Sequence, residues 1–73
     1  MTFAERKSLM ANRIVDLRMA RRMNRLSASA ACGVSARTYT NSENAKYWPR
    51  ADTLIRICIG LNATPNYLLG FEE

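Results

Sequence analysis

Histidine is absent from this 73-residue sequence, and cysteine occurs only at Cys32 and Cys58. The two cysteines do not form a C-x-x-C pair, so no familiar metal-ligand spacing is present, and we expect both to be buried, free thiols. No paired carboxylates or cysteine–base arrangement stand at a spacing suited to acid–base or nucleophilic catalysis. The sequence therefore predicts no metal site, no cofactor and no enzymatic activity.

Long apolar runs are also missing. No stretch approaches the roughly 18 apolar residues that a membrane-spanning helix needs. The first ten residues, MTFAERKSLM, carry Glu5, Arg6 and Lys7 among their apolar residues, which is not the pattern of a secretory signal. The basic residues do not follow one amphipathic face, which argues against a membrane-surface peptide. We expect a cytoplasmic protein.

Strand signals are equally scarce, because the sequence has neither a run of alternating β-branched residues nor an Asn-Gly or Asp-Gly turn. A T-x-x-E capping box at residues 2–5 predicts a first helix over residues 3–22, with a potential break near Ser8. Caps and apolar periodicity predict four further helices, over residues 25–32, 36–44, 52–61 and 65–69. The length of 73 residues is enough for a single domain, residues 1–73. Five helices without strands predict an all-α fold, a compact five-helix bundle.

A tight turn separates the second and third of these helices. Gly33 suits the left-handed conformation that ends a helix, and Ser35 is a good N-cap for the next one. Two helices joined by about three residues make a helix-turn-helix, in which the second helix enters the major groove of DNA. The turn predicts a third helix held at a fixed angle.

The charge distribution agrees with a polyanionic partner. The chain has 11 basic and 6 acidic residues, a net charge of +5. Eight of the basic residues and only two of the acidic ones, Asp16 and Glu43, lie between Arg13 and Arg50, which leaves the remainder slightly negative. Such segregation is typical of a phosphate-binding face.

From Arg13 to Gly70, without a gap, the sequence resembles the Cro/CI-type repressor family, also called the xenobiotic-response-element family. The resemblance is carried by these pieces in register: Arg13-Ile14, Leu17-Arg18, Gly33-Val34-Ser35, Thr38, Glu43, Pro49, Thr53-Leu54, Ile57, Leu61 and Tyr67-Leu68-Leu69-Gly70. It implies a lambda-repressor-like bundle and a sequence-specific, phage-like repressor. Such a protein binds a double-stranded DNA operator as a homodimer and regulates transcription by occlusion.

The resemblance also implies site residues. At matching positions, base edges would be contacted by Ala36, Arg37, Thr40 and Asn41, and phosphates by Arg18, Arg25, Asn44, Lys46 and Arg50. Arg37 suits a guanine and Asn41 an adenine. The C-terminal apolar residues, which few internal partners could cover, would form the dimer interface: Leu68, Leu69 and Phe71.

Five positions have a specific structural expectation. Ala45 stands where the family usually has glycine, so strain is expected there or at Asn44. Glu43 is expected to pair with a nearby arginine rather than to read cytosine. Tyr39 is expected in the core, and Tyr47 and Trp48 are expected to pack over the bundle, although aromatic residues in a basic loop can also stack on bases.

The sequence is also compatible with a second function. The same fold can serve as an antitoxin or protein-interaction module, with the C-terminal apolar residues and the long first helix contacting a partner protein. An antitoxin can also repress its own operon, so the two hypotheses are not exclusive.

Overall fold

Side-chain caps begin four of the five helices. In the computed structural model, which describes residues 1–72, α1 spans Phe3–Ala20, α2 Arg25–Cys32, α3 Ala36–Glu43, α4 Ala51–Leu61 and α5 Pro65–Leu68. The side chains of Thr2, Asn24, Ser35 and Thr64 accept hydrogen bonds from backbone N–H groups in the first turns of α1, α2, α3 and α5. No strand occurs within residues 1–72. The prediction of an all-α, five-helix fold is confirmed.

The helix boundaries differ slightly from those predicted. Helix α1 runs through Ser8 without a break and ends at Ala20, two residues early, because Arg22 adopts a left-handed φ of 56°. Helices α3 and α5 each end one residue early, and α4 begins one residue early, at Ala51. None of these differences moves the turn between α2 and α3.

One core joins all five helices. Helix α1 packs against α3, α4 and α5, and α2 packs against α3 and α4. The buried core residues are Met10, Ile14, Ala28, Cys32, Tyr39, Ile57, Cys58, Leu61 and Leu68. Tyr39 and the two free thiols are buried as expected.

Two serines are buried beside the core, Ser29 in α2 and Ser42 in α3. The Ser29 hydroxyl donates to the carbonyl of Leu26 at 2.7 Å, and the Ser42 hydroxyl donates to the carbonyl of Thr38 at 3.1 Å. Each hydroxyl is therefore satisfied within its own helix, so its burial leaves no unpaired polar group.

Helices α2 and α4 lie close together at Gly60, a position for which the sequence raised no expectation. A Cβ atom at residue 60 would lie 2.6 Å from the Cα of Cys32 and 2.8 Å from the carbonyl oxygen of Ala31. Both are backbone atoms, which cannot move aside without shifting α2. Only glycine fits this contact, so Gly60 sets the distance between α4 and the helix that precedes the turn.

We predict that Gly60→Ala destabilises the fold by about 1–3 kcal/mol, the usual cost of inserting a carbon into a packed interface. The loss should appear although alanine favours helix more than glycine does. Urea denaturation measures the free energy of unfolding. The adjacent exposed position is the control, and Ile59→Ala should change stability by less than about 0.5 kcal/mol. A Gly60→Ala chain as stable as the parent would refute the close approach.

Candidate nucleic-acid interface

The turn between α2 and α3 is closed by backbone hydrogen bonds. Gly33 adopts the left-handed conformation with φ 68°, and the N–H of Val34 donates to the carbonyl of Ser29 at 3.1 Å. One residue later the Ser35 hydroxyl accepts from the N–H of Thr38, also at 3.1 Å, and begins α3. These contacts fix every residue of the turn and with it the direction of α3.

The predicted base-contacting residues lie on one part of α3. Ala36 and Arg37 are exposed at its N-terminus, and Thr40 and Asn41 are half-buried one turn later. The guanidinium of Arg37 enters none of the ion pairs found within residues 1–72. The structure therefore brings all four residues to one solvent-facing stretch and leaves the Arg37 cation unpaired there.

Arg18 is largely enclosed by the fold. Its side chain is only 14% exposed. Nε and Nη2 donate to Glu43 at 2.6 and 3.2 Å, and Nη1 donates to the carbonyl of Met23 at 3.0 Å. These contacts argue against the predicted phosphate contact at Arg18, because its guanidinium is engaged in joining α1 to α3.

Glu43 accepts from a second arginine as well. Its carboxylate is fully buried, and the Nε of Arg25 donates to Oε1 at 3.0 Å. The expectation that Glu43 pairs with an arginine is confirmed, and the double pairing was not foreseen. One negative charge between two cations leaves a net positive charge at the start of α2, where the exposed backbone N–H groups also favour anions.

The second pairing orients Arg25 toward solvent. The Arg25 side chain is 53% exposed, and its hydrogen bond to Glu43 uses Nε. The two Nη groups remain available, and they are the pair that can contact a phosphate bidentately. Arg25 is thus anchored to Glu43 by one donor, on a side chain that remains half exposed.

The ion pairs also affect the pKa values of Glu43 and of the neighbouring Tyr39. Burial alone would raise the pKa of Glu43, but the hydrogen bonds from Arg18 and Arg25 outweigh it and hold that pKa below its usual range. The Tyr39 hydroxyl lies close to this carboxylate but has no partner at hydrogen-bonding distance. Burial first, and then the negative charge of Glu43, raise the pKa of Tyr39. Tyr39 therefore stays neutral.

The remaining predicted phosphate contacts lie at the end of α3 and in the loop before α4. Asn44, Lys46 and Arg50 are all exposed. The ion pair of Arg50 with Asp52, at 3.7 Å between exposed side chains, is too long and too hydrated to hold the arginine in place. Of these, Lys46 and Arg50 are charged and extend the cationic surface beyond α3.

The exit of α3 is strained at Ala45. Its φ is 56°, whereas Asn44 keeps a φ of −89°. Of the two positions expected to bear the strain, Ala45 is the one that does. The N–H of Lys46 donates back to the carbonyl of Asn41 at 3.1 Å, so the chain makes the same turn that glycine would make.

Tyr47 and Trp48 do not pack over the bundle. Tyr47 is 58% exposed and Trp48 39% exposed, and both line a groove beside α3. The expectation that they pack over the bundle is wrong, since both side chains are exposed.

The predicted dimer residues lie in three different environments. Leu68 is fully buried and Leu69 packs partly against the core, so the monomer covers Leu68 by itself, contrary to expectation. Phe71 is exposed, with the guanidinium of Arg6 4.5 Å from its ring centre.

A second arginine of α1 contacts the same segment. Arg13 stacks on the Tyr67 ring, with its guanidinium 4.3 Å from the ring centre, and donates to the Tyr67 carbonyl. These two arginines attach the C-terminal segment to α1.

Neither cysteine belongs to a reactive site. Burial raises the pKa of both thiols, Cys32 and Cys58, which keeps them protonated and unreactive. Within residues 1–72 no cluster of three or more histidine, cysteine or acidic side chains is placed to hold a metal ion. No described helix is long and apolar enough to cross a membrane.

Comparison with known proteins gives one match. A family model described as helix-turn-helix matches residues 14–68, which include α2, the turn and α3. No curated protein and no solved structure matches the chain.

We predict that acid weakens the fold through Glu43. Because the pKa of Glu43 is lowered in the folded state, its ion pairs contribute fully above its ordinary value of 4.5, and this contribution is lost as the pH falls through the folded-state pKa. At pH 7, Glu43→Gln should cost about 3–5 kcal/mol by leaving buried arginine charge uncompensated.

Urea denaturation of the parent chain and of Glu43→Gln between pH 7 and pH 3 checks this. The difference in unfolding free energy should shrink toward the acid end. Glu5→Gln is the control, since Glu5 is an exposed capping residue and its loss should have a small effect at every pH. Parallel pH curves for Glu43→Gln and the parent would contradict the assignment.

We also predict that Ala45→Gly stabilises the chain by about 1 kcal/mol, because glycine adopts a positive φ without the steric cost that alanine bears. The matched control is Ala30→Gly, an exposed position inside α2, which should destabilise the chain by about 0.5–1 kcal/mol. Thermal and urea unfolding would show opposite signs for the two substitutions. Equal losses would mean that Ala45 is not strained.

Proposed function

This chain belongs to the helix-turn-helix family and is a DNA-binding regulator of that family, and we propose that it binds a specific double-stranded operator and represses transcription by occluding it. We also propose that the protein is cytoplasmic, is not an enzyme and needs no cofactor. It is supported above all by the exposed, unpaired cation of Arg37 on a helix whose direction the turn fixes. A helix held at a constant angle can place the same side chains against base edges each time it binds.

In this proposal, α3 reads the operator sequence in the major groove. Arg37 donates to the O6 and N7 atoms of a guanine, and Asn41 pairs with an adenine. Ala36 and Thr40 are small enough to let the helix approach closely, and either can contact a thymine methyl group. These four side chains would carry the sequence preference.

Phosphate contacts would set the position of α3 in the groove. Arg25 contacts one phosphate through its two Nη groups while Glu43 holds Nε, and the N-terminus of α2 adds favourable N–H dipoles. Asn44, Lys46 and Arg50 contact the backbone on the other side of α3. Arg18 is left out of this set, since its role is to hold Glu43.

The proposed protein acts as a homodimer on DNA. A two-fold dimer would place two copies of α3 about 34 Å apart and would favour a palindromic operator. Leu69 and Phe71 remain the candidates for the dimer contact among the C-terminal apolar residues.

One observation favours a second function, as an antitoxin or protein-interaction module. Ile55 and Ile59 lie one turn apart on α4 and are 55% and 76% exposed. Exposed apolar pairs of this kind suit contact with another protein. Co-purification of a partner that is released by Ile59→Asp would support this alternative.

Selection from random duplex DNA tests the proposal. We expect a short palindromic site, bound with an affinity whose logarithm falls with the logarithm of salt concentration at about −0.9 per phosphate contacted. Arg37→Ala should relax the preference at one base pair by about 1–3 kcal/mol. Arg25→Ala should weaken binding to all sites alike and make the salt slope shallower by about 0.9.

Lys7→Ala removes a cation outside the proposed interface and is the control for net charge. It should leave the sequence preference unchanged. Salt-sensitive binding with no preferred sequence, or equal effects of the Arg37 and Lys7 substitutions, would refute sequence-specific recognition through α3.

A further inference from the structure

A groove of about 550 Å³ lies beside α3, between this helix and the loop that leads to α4. This volume falls within the range of about 300–1,000 Å³ that small-molecule sites occupy. The lining of the groove includes Thr38, Asn41, Tyr47, Trp48, Arg50 and Thr53. It is large enough for a free compound of two fused rings.

Two aromatic rings form the apolar part of the groove. Tyr47 and Trp48 are both exposed, and Pro49 lines the groove with them. Such rings pack best against another aromatic ring, which stacks on them or meets them edge to face. The bases of an intact duplex are stacked inside it and do not reach these rings. A free aromatic compound is the partner that the rings fit.

The polar part of the groove is cationic. Among the described residues that line it there is no carboxylate, whereas Arg50 is one of them. The contact of Arg50 with Asp52 is 3.7 Å long and both side chains are mostly exposed, so the guanidinium is free to bind another anion. Arginine binds a carboxylate through two parallel hydrogen bonds. The groove therefore favours an aromatic ring that carries a carboxylate.

Two more side chains in the groove have free hydrogen-bonding groups. Neither the amide of Asn41 nor the hydroxyl of Thr53 takes part in the side-chain hydrogen bonds found within residues 1–72. Both residues are half-buried in the groove wall. They can donate to a carboxylate that Arg50 binds.

We propose that this groove binds a small aromatic carboxylate and that this ligand releases the chain from its operator. Trp48 and Tyr47 pack against the ring, while Arg50 and Thr53 donate to the carboxylate. The release rests on the function proposed above, in which Asn41 pairs with a base and Arg50 contacts a phosphate. A ligand in the groove occupies both side chains, so ligand and operator compete. By linkage, the operator weakens ligand binding by the same factor.

An NMR titration tests ligand binding without DNA. Trp48 is the sole tryptophan of the chain, so its indole N–H gives one resonance that reports on the groove. The probe is naphthoate, and we expect it to shift this resonance and the backbone N–H of Thr53 saturably. Naphthamide keeps the rings without the charge, and cyclohexanecarboxylate keeps the charge without an aromatic ring. Each should bind roughly 5–10-fold more weakly.

Two substitutions test recognition of the carboxylate. Arg50→Gln should weaken naphthoate binding roughly tenfold and leave naphthamide binding unchanged, because only naphthoate carries the anion. Lys7→Gln removes a cation outside the groove and should change neither affinity.

Two other substitutions test the ring contact, with the N–H of Thr53 as the reporter. Trp48→Ala should weaken naphthoate binding roughly tenfold, and Trp48→Phe should recover most of the loss. Phe3→Ala removes an exposed ring outside the groove and should bind like the parent. If Trp48→Ala does not fold, as judged by circular dichroism, Tyr47→Ala takes its place.

Fluorescence polarisation of a labelled, selected duplex tests the competition. With naphthoate at about ten times its Kd, the apparent Kd of the duplex should rise about tenfold, as exclusive binding at one site requires. Naphthamide at the same concentration should have a much smaller effect.

The results separate this inference from the function on which it rests. If the chain binds naphthoate but no duplex, the proposed function fails and the ligand site stands. If it binds a selected duplex while naphthoate shifts neither Trp48 nor Thr53, the function stands and the ligand site is wrong. Equal affinities for naphthoate and naphthamide, or equal losses in Arg50→Gln and Lys7→Gln, would also overturn the site. Naphthoate that fills the groove without weakening duplex binding would overturn the competition.

Discussion

The position of α3 depends on one buried carboxylate. Glu43 ends this helix, and both of its oxygens are held by arginines from other elements, Arg18 on α1 and Arg25 on α2. The turn at Gly33 fixes how α3 leaves α2, while the Arg18–Glu43 pair fixes how its far end lies against α1. A helix restrained at both ends presents one face to solvent in one orientation. A buried pair of this kind adds little net stability over an apolar contact, but it is costly to break, which suits a role in geometry.

The arginines of this small domain are divided between structure and surface. Arg18 is bound to Glu43 inside the fold. Arg6 and Arg13 hold the C-terminal segment through stacking and carbonyl contacts. Arg25 serves both purposes, since one donor is bound to Glu43 and the others face solvent. Arg37 is unpaired. The net positive charge therefore overstates the number of cations that can meet phosphates.

Local signals in the sequence were sufficient for the turn and for the helices around it. Gly33, Ser35 and the other caps act within three or four residues, so their spacing alone predicts the backbone. The environment of Arg18 could not be predicted, because its partner lies 25 residues away and becomes a neighbour only when α1 packs on α3. The same limit applies to Gly60, whose importance comes from the backbone of Cys32. In the sequence, the only sign of strain at Ala45 is that the resembled family usually has glycine at this position.

The central claim is that the face of α3 that carries Arg37 and Asn41, together with the start of α2, forms the surface that meets DNA. An NMR titration of the isotope-labelled chain with a selected duplex measures this directly, residue by residue. The account predicts that the largest shifts fall on the side chains of Arg25, Arg37 and Asn41, while resonances at the start of α1 and along α5 stay in place. Shifts centred on Ile55 and Ile59 of α4, with those of α3 unchanged, would contradict it.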